Sequence, residues 1–133
     1  MTTSGGARLL RAPCHAHRDA GRLYVLDGLP FAPCRLFWIV APRGAVRARH
    51  AHRTNEQVVA LASGALTARC VWWSCGRCRT RTWHLVPGQA IYLPALVWLE
   101  MRFTSPGVCV VLASEPYRAT SYIESLDELR RMS

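Results

Sequence analysis

Hydrophobic positions along the chain fall in short runs that predict β-strands rather than helices. The runs are rich in β-branched and aromatic residues, and turn signals such as "PRG", "SG", "PG" and "SPG" separate them. Many short strands at close spacing are typical of an antiparallel sandwich or barrel, so an all-β fold is expected. The predicted strands cover residues 22–27, 35–40, 57–62, 66–73, 80–86, 90–93, 97–103 and 107–114.

The hydrophobic period changes only near the end of the chain. In "TSYIESLDELRRM", Ile123, Leu126 and Leu129 recur at helical spacing. Ser125 and Glu128 have the spacing of a capping box, in which a serine at the helix start bonds the backbone three residues later. A short C-terminal helix is predicted, with packing as its role.

The length of 133 residues and a hydrophobic share of 50% favour one domain with a proper core. Residues 1–20, rich in Gly, Ala, Arg and Ser, are predicted to form a flexible N-terminal arm, which leaves 21–133 as a single domain. No apolar run approaches the length that spans a bilayer, and the start lacks the apolar core of a signal peptide. A cytoplasmic protein with no membrane partner is expected.

The formal charge of +9 arises because seventeen basic residues, all of them arginine, outnumber eight acidic ones. Without lysine, no side chain is available for Schiff-base catalysis. The excess charge favours anionic partners, such as a phosphorylated small molecule. The arginines are scattered and no nucleic-acid-binding motif occurs, so nucleic acid is not expected as a partner.

Six cysteines are present, and Cys34, Cys70 and Cys109 lie in apolar runs where a reduced cysteine packs as a small hydrophobe. Cys75 and Cys78 form a C-x-x-C in "WSCGRCRT". A zinc ribbon needs a second such pair, and a thioredoxin-like motif needs a strand-to-helix junction. This segment is predicted to be a hairpin tip instead, which disfavours both roles.

The segment "RARHAHRTNEQ" contains the candidate chemistry. His50, His52 and Glu56 match the first metal-binding motif of cupin barrels, H-x-H-x₃-E. The second cupin motif is present only as its G-x₅-P part, Gly88 to Pro94, because no histidine follows it. A metal-free pocket is therefore favoured, and if a metal bound, these three residues would be its ligands.

Two imidazoles on one face of a strand are also suited to proton transfer. Residues i and i+2 of a strand point to the same side, so His50 and His52 would face the same space. An unperturbed histidine accepts or donates a proton near neutral pH, as a reaction beside a carbonyl group requires. The alternative is a pair of core histidines bonded to the backbone.

From Leu23 to about Leu129, the chain resembles the sugar 3,4-ketoisomerases of the WxcM-like cupin group. Four ordered segments carry this resemblance: "LPFAPCRLFWIV", "HAHRTNEQVVALASG", "LVPGQAIYLPALVWLEM" and "VVLASEPYRATSYIES". The resemblance implies a jelly-roll β-barrel (a double-stranded β-helix), no cofactor, and a homodimer with exchanged N-terminal strands. It also implies an isomerase that moves a keto group from carbon 4 to carbon 3 of a dTDP-linked 4-keto-6-deoxy sugar through an enediol.

The same resemblance assigns roles to individual residues. His50 and His52 match the acid/base pair, and Arg47 matches an arginine near the diphosphate or sugar. Arg35 falls on a matching position, with a dimer salt bridge as the alternative. The remaining candidate substrate-binding residues are Trp38, Gln57, Trp98 and Glu100. The alternative for Trp98 is plain packing, and the alternative for Gln57 is a buried amide with its hydrogen bonds satisfied.

The chain departs from the family pattern in three places, and these differences concern the substrate rather than the fold. The family usually has tyrosine where this chain has Phe37 and Trp38, and "RGxHAH" is here "RARHAH", with Ala48 for a glycine. Trp72 and Trp73 replace acidic turn residues. The leading interpretation is metal-independent deoxysugar isomerisation in natural-product or surface-glycan biosynthesis.

Two other functions are considered. A cupin repurposed as a cyclase or isomerase for an apolar, polyketide-like intermediate would explain the added aromatic residues. A cupin that only binds a sugar nucleotide or a partner protein is disfavoured, because both histidines and Arg47 are retained.

Overall fold

The computed structural model describes residues 5–133, which fold into two five-stranded sheets, a separate hairpin and one short helix. Every strand pairing is antiparallel, and the all-β prediction is confirmed. The elements in chain order are β1 (Arg8–Arg11), β2 (Cys14–His17), β3 (Gly21–Tyr24), β4 (Arg35–Ala41), β5 (Val46–His52), β6 (Gln57–Ser63), β7 (Leu66–Ser74), β8 (Arg77–Leu85), β9 (Gln89–Leu93), β10 (Trp98–Phe103), β11 (Gly107–Ala113), β12 (Tyr122–Ile123) and α1 (Leu126–Met132).

The two large sheets face each other across one main core and do not close into a complete barrel. The first sheet has the strand order β1-β9-β6-β11-β4, and the second has the order β12-β5-β10-β7-β8. The core joins residues from both sheets, including Leu61, Ile91 and Val111 from the first and Leu99 and Phe103 from the second. Because the strand order separates sequence neighbours, residues distant in the chain meet at the edges of the sheets.

The first sheet is apolar on both of its faces. On β11, Cys109 and Val111 point into the core, while Val108 and Val110 point outward and stay partly exposed. On the edge strand β4, alternate residues Leu36, Trp38 and Val40 are 56%, 65% and 74% exposed. The runs "RLFWIV" and "GVCVVLA" are therefore hydrophobic at their outward positions as well as at their inward ones.

The N-terminal segment has more structure than the sequence indicates. Within the predicted flexible arm, β1 pairs with β9 and β2 pairs with β3. The first four residues of that arm lie outside the described residues. Strand β1 is short and its four residues are polar at both ends, so its hydrophobic signal is weak without the partner strand. Every residue of β2 is exposed.

The C-terminal helix agrees with its prediction. The side chain of Ser125 accepts a hydrogen bond from the backbone N–H of Glu128 at 3.1 Å, which caps the helix start. Leu129 is fully buried in a second, smaller core with Trp98 and Ile123. Ile123 belongs to β12 rather than to the helix, so this strand and the helix cover the same part of the second sheet.

The cysteines divide into two groups. Cys70 and Cys109 are buried as predicted, and burial raises the pKa of Cys70 to about 12. Cys34 was expected to be packed and is exposed, because it precedes β4 and its thiol donates to the Ser114 carbonyl at 3.1 Å. Cys75 is exposed in the turn of the predicted hairpin between β7 and β8, and Cys78 is exposed on β8 next to that turn.

None of the helices in the described part of the chain is long and apolar enough to cross a membrane.

Candidate active site

A cavity of about 290 Å³ opens between the edge strand β4 of the first sheet and strands β5 and β12 of the second. It combines basic, aromatic and apolar groups from several strands. The lining residues are Arg35, Phe37, Trp38, Ile39, Arg47, Ala48, His50, Gln57, Met101, Val111 and Tyr122. The strands that contribute them come from most of the chain, so only the folded protein assembles this site.

An irregularity in β5 directs both Arg47 and His50 toward the cavity. Along a regular strand these residues, three apart, would face opposite sides. Here Ala48 and Arg49 have positive φ angles of 71° and 69°, and the pairing with β10 shifts by one residue at this point. Such a bulge re-aims the side chains that follow it. The two residues with positive φ therefore create the constellation of an arginine beside a histidine.

His50, His52 and Tyr122 form a compact aromatic cluster. The ring centroids of His50 and His52 are 5.0 Å apart, and the Tyr122 ring lies 4.7 Å from the first and 4.6 Å from the second. Tyr122 is directly opposite His52 in the pairing of β12 with β5. The expectation that the two histidines share a face agrees with this geometry, and a tyrosine lies against both.

His52 is buried and does not contribute to the cavity wall. Its residue exposure is 7%, and its Nδ1 is 3.2 Å from the hydroxyl of Ser121. Nε2 is buried without a hydrogen-bond partner among residues 5–133. Burial, with smaller contributions from the nearby His50 and Arg35, lowers the pKa of His52 to about 4. His52 is therefore neutral at physiological pH.

His50 is the histidine that reaches the cavity. Burial lowers its pKa below 6.5, while a hydrogen bond with the Ala48 backbone and the charge of Glu124 oppose that shift. The imidazole is thus available as a neutral base at pH 7. Since His50 lines the cavity and His52 does not, the pair divides into a residue that can touch a ligand and a residue that supports it.

Arginine and amide groups from the first sheet form the opposite wall. The guanidinium carbon of Arg35 lies 4.6 Å from the Phe37 ring centroid and 5.5 Å from that of Tyr117. Gln57, 7% exposed, lines the same cavity. With Arg47, these residues offer two permanent positive charges and an amide to a ligand, which suits a diphosphate.

Three of the candidate substrate-binding residues lie elsewhere or only at the margin. Trp38 borders the cavity, but its side chain is on the outward-facing side of β4 and is 65% exposed. Trp98 is buried in the second core, and its indole N–H donates to Glu100 at 3.0 Å. Glu100 also accepts from Arg69 at 2.8 Å. Trp98 and Glu100 are absent from the cavity wall, because both point to the other face of the second sheet.

Glu56, the third residue of the cupin motif, is held away from the histidines. Its carboxylate accepts a hydrogen bond from the Tyr92 hydroxyl at 2.5 Å, and its backbone N–H donates to Ser114 at 2.8 Å. Burial and this hydrogen bond raise the pKa of Tyr92 to about 12. Among residues 5–133, no three His, Cys, Asp or Glu side chains converge as metal ligands would.

Contacts from Arg53 hold the C-terminal segment against the end of β5. Its guanidinium donates to the Thr120 carbonyl at 3.0 Å and to the Glu128 carboxylate at 2.9 Å. The Arg53 backbone N–H also donates to the Ser121 carbonyl at 2.8 Å. These bonds position Ser121 and Tyr122 beside the histidines.

Sequence reasoning did not identify Tyr122 as a site residue. The tyrosine lies in "TSYIES", a segment quoted for its resemblance and its helix signal, about seventy residues after the histidines. No local pattern relates the two segments, because their proximity depends on the pairing of β12 with β5. Phe37, Ile39, Met101 and Val111 were also missed as cavity residues, since buried apolar side chains carry no chemical signal of their own.

Comparison with known proteins identifies the class of fold and then the family. The model matches a crystal structure of QdtA, a sugar 3,4-ketoisomerase from Thermoanaerobacterium thermosaccharolyticum in complex with TDP, with a TM-score of 0.82 and 26% identity over 95% of this chain and 93% of that one. A 3,4-ketoisomerase from Helicobacter canadensis matches with a TM-score of 0.81 and 27% identity over 95% of this chain and 96% of that one. These matches confirm the cupin-like jelly roll.

The sequence comparisons name the family. Residues 13–133 match the family model FdtA, described as WxcM-like, C-terminal. The TDP-4-oxo-6-deoxy-alpha-D-glucose-3,4-oxoisomerase of Aneurinibacillus thermoaerophilus is 31% identical over 105 residues, which are 77% of this chain and 73% of that protein. The chain therefore belongs to the FdtA, WxcM-like C-terminal family, and the comparisons place it among isomerases.

Proposed function

We propose that this protein is a sugar-nucleotide isomerase that converts a dTDP-linked 4-keto-6-deoxyhexose into its 3-keto isomer. The observation that carries the proposal is a neutral histidine, His50, in the wall of a cavity that also contains Arg35 and Arg47. The family relatives named as TDP-sugar ketoisomerases support the substrate class.

The two arginines fit the diphosphate of the substrate. Arg47 extends from the second sheet and Arg35 from the first, so they approach the cavity from opposite walls. Arginine is suited to this role because its planar fork makes paired hydrogen bonds to phosphate oxygens and always carries its charge. A diphosphate bound between them would place the sugar toward His50.

His50 is the acid/base group in this proposal. The hydrogen on carbon 3 is acidified by the adjacent carbonyl at carbon 4, and a neutral imidazole can remove it. The same imidazolium then returns a proton to carbon 4, which completes the isomerisation through an enediol. His52 orients the pair, because its Nδ1 is fixed by Ser121 and it lies behind the cavity wall.

The experiment that tests this function is proton NMR of dTDP-4-keto-6-deoxyglucose incubated with the protein in deuterated water. We expect a new 3-keto species that carries deuterium at carbon 4, together with deuterium at carbon 3 in substrate that re-forms from the enediol. A well-folded protein that leaves the spectrum unchanged would overturn the proposal. The apolar part of the cavity wall would then direct attention to a polyketide-like substrate.

Binding of dTDP, measured by thermal shift, separates the same possibilities without turnover. An isomerase of dTDP-sugars is expected to be stabilised, since a ligand that binds only the folded state raises its melting temperature. A cavity remodelled for an apolar substrate would show no stabilisation. If dTDP binds and no isomer forms, the protein is a binding module.

We further propose that the protein is a homodimer in which the outer faces of two first sheets pack together. Leu36, Trp38 and Val40 are exposed on that face, and the outward residues of β11 continue it without a charge. An uncharged, apolar face is complementary to a second copy of itself across a two-fold axis. The exchange of N-terminal strands that the resemblance implies would place the exposed β2 on the partner.

Sedimentation velocity tests the dimer with a matched pair of variants. Val40→Glu places a charge in the proposed interface and is expected to produce monomers. Val46→Glu, a substitution of another exposed valine that borders Thr67 and Arg102 on the second sheet, is expected to leave the dimer intact. A monomeric wild-type protein would contradict this assembly.

A further inference from the structure

We propose that the phenol of Tyr122 is the second acid/base group of the site and transfers the proton between the two substrate oxygens during isomerisation. This inference rests on the proposed ketoisomerase function. The juxtaposition that carries it is a tyrosine in the cavity wall, packed against both histidines and held there by the pairing of β12 with β5.

The reaction requires a group of this kind. When His50 removes the proton from carbon 3, the electron pair forms the bond between carbons 3 and 4 and leaves negative charge on the oxygen of carbon 4. That oxygen must gain a proton, and the hydroxyl on carbon 3 must later lose one. A single imidazole that carries the proton between the carbons does not account for this second transfer.

With Tyr122, both oxygen proton transfers are accounted for and no further reactant is needed. Its phenol gives a proton to the oxygen of carbon 4, which yields the enediol and a phenolate. The phenolate then takes the proton from the hydroxyl of carbon 3 as that oxygen becomes the new carbonyl, while protonated His50 delivers a proton to carbon 4. Both protein groups return to their starting state, and the sugar is the 3-keto isomer.

Among the described residues of the cavity wall, Tyr122 is the one besides His50 whose side chain can both give and take a proton. Arg35 and Arg47 are always protonated and cannot exchange a proton, and Gln57 has no titratable group. Besides His50, the remaining described wall residues lack an exchangeable acid: Phe37, Trp38, Ile39, Ala48, Met101 and Val111. Trp38 is counted with these because an indole N–H donates a hydrogen bond without releasing its proton.

His52 is a poorer candidate than Tyr122 because of its location. Its side chain is outside the cavity wall, and one ring nitrogen is already directed at Ser121. The Tyr122 ring lies 4.6 Å from the His52 ring, and Tyr122 lines the cavity whereas His52 does not.

The fold supplies a firm position for Tyr122. The adjacent Ile123 is completely buried in the second core with Leu129, and Arg53 bonds to the carbonyls of Thr120 and Ser121 on the other side. Both anchors act on residues next to the tyrosine and neither uses its hydroxyl. Removing the hydroxyl should therefore leave the strand and both ring contacts in place.

Tyr122→Phe, compared with Tyr24→Phe, tests the inference on the folded protein. Tyr24 packs against Gly88 in the turn before β9, outside the lining of the cavity, and serves as the matched control. With dTDP-4-keto-6-deoxyglucose, we expect Tyr122→Phe to lower kcat about 100-fold, the range of acid/base assistance, with KM and dTDP affinity within about twofold of wild type. Its melting temperature should match that of Tyr24→Phe.

A second readout distinguishes proton transfer from a packing role. In deuterated water, a variant that still removes the carbon-3 proton but transfers the oxygen proton slowly returns substrate labelled at carbon 3. The ratio of labelled substrate to product is therefore expected to rise several-fold in Tyr122→Phe. A packing defect alone would lower turnover without changing this ratio.

Three results would overturn the inference. If kcat of Tyr122→Phe stays within about twofold of wild type, the phenol is not needed. If kcat falls together with dTDP affinity and melting temperature, the tyrosine is structural. If the wild-type protein itself does not turn over the substrate, the proposed function fails first, and this role fails with it.

Discussion

The two edges of the sandwich are built from the same pair of sheets, yet they differ in what fills the space between them. At the closed edge, where β1 approaches β7 and β8, Trp72 and Trp83 pack against the main core. A Cβ at Gly6 would collide with the Trp72 indole, so the chain lies directly on that ring. At the cavity edge, where β4 approaches β5 and β12, the small Ala48 of β5 lies in the cavity wall between Arg47 and His50.

This contrast shows that side-chain size and local backbone geometry decide where a site forms. At one edge the large aromatic side chains of Trp72 and Trp83 occupy the space beside the main core. At the other edge a bulge in β5 brings Arg47 and His50 to the wall of the cavity. The same sheet architecture therefore gives stability at one edge and chemistry at the other.

The largest effect is expected when the histidine at the cavity edge is replaced, with a histidine on β8 replaced as the control. His50→Asn at the cavity edge should reduce turnover at least about 1,000-fold, because no other imidazole of the described chain lines the cavity. His84→Asn on β8, where the ring bonds Thr67 at 2.9 Å, should leave turnover unchanged. Steady-state kinetics on the dTDP-sugar measures both. Equal losses would mean that the cavity is not where the reaction occurs.

The second effect is a loss of folding stability at acidic pH, which we expect to arise at the cavity edge. In the folded state the pKa of His52 is about 4, below its ordinary value of 6.5. Between these values the unfolded chain binds a proton that the folded chain does not. Stability therefore rises with pH and is lost as pH falls from about 6.5 to about 4, by about 3 kcal/mol from this residue.

Urea unfolding at several pH values measures this loss. The variant His52→Gln should show a weaker dependence in that window than the wild-type protein. A wild-type protein whose stability is flat between pH 6.5 and pH 4.5 would contradict the burial of a neutral His52.

The third effect belongs to the closed edge. Trp72→Ala removes a half-buried indole from the main core and should lower the free energy of unfolding by about 2–3 kcal/mol, since truncation of large core residues leaves a cavity. Affinity for dTDP should not change. Chemical denaturation and calorimetric titration give the two values, and a large loss of affinity would show that the edges are coupled.

The fourth effect compares arginines. Arg47→Ala is expected to weaken dTDP binding about tenfold, because a charged hydrogen bond to phosphate is lost. Arg79→Ala, an exposed arginine of β8 at the closed edge, is expected to leave binding unaltered. Isothermal titration calorimetry at fixed salt measures the dTDP affinity of both variants. If only the general attraction of a basic protein held dTDP, both variants would lose the same amount of affinity.

The smallest effect tests the bulge. Ala48 has a positive φ, a conformation that costs a residue with a side chain about 1 kcal/mol, whereas glycine adopts it freely. Ala48→Gly should therefore stabilise the protein by up to about 1 kcal/mol. Ala60→Gly in β6, where the backbone has no positive φ, should destabilise it instead. Thermal melts measure both, and destabilisation by both would mean that the bulge is not strained at this residue.

Much of the architecture was predictable from hydrophobic pattern. The runs at β4, β6, β7, β9, β10 and β11 agree with their predictions within a few residues, and the capping serine correctly marked the start of α1. These elements are predictable because a strand or helix with an apolar face has a local periodic signal. Strands β1, β2, β5 and β12 were not among the strands predicted from hydrophobic runs. Strands β1, β2 and β12 are only two to four residues long and are stabilised by their partner strands. Strand β5 has a weak hydrophobic signal because four of its seven residues are arginine or histidine.

The sequence by itself determined the all-β fold, the family resemblance and the pair His50 and His52. These depend on residue order alone. Only the tertiary structure decided that His50 reaches the cavity while His52 is buried behind it, and that Trp98 and Glu100 lie outside. It also brought Tyr122 to the histidines across about seventy residues. Register, bulges and burial set these positions, and they arise from contacts between strands that no single segment encodes.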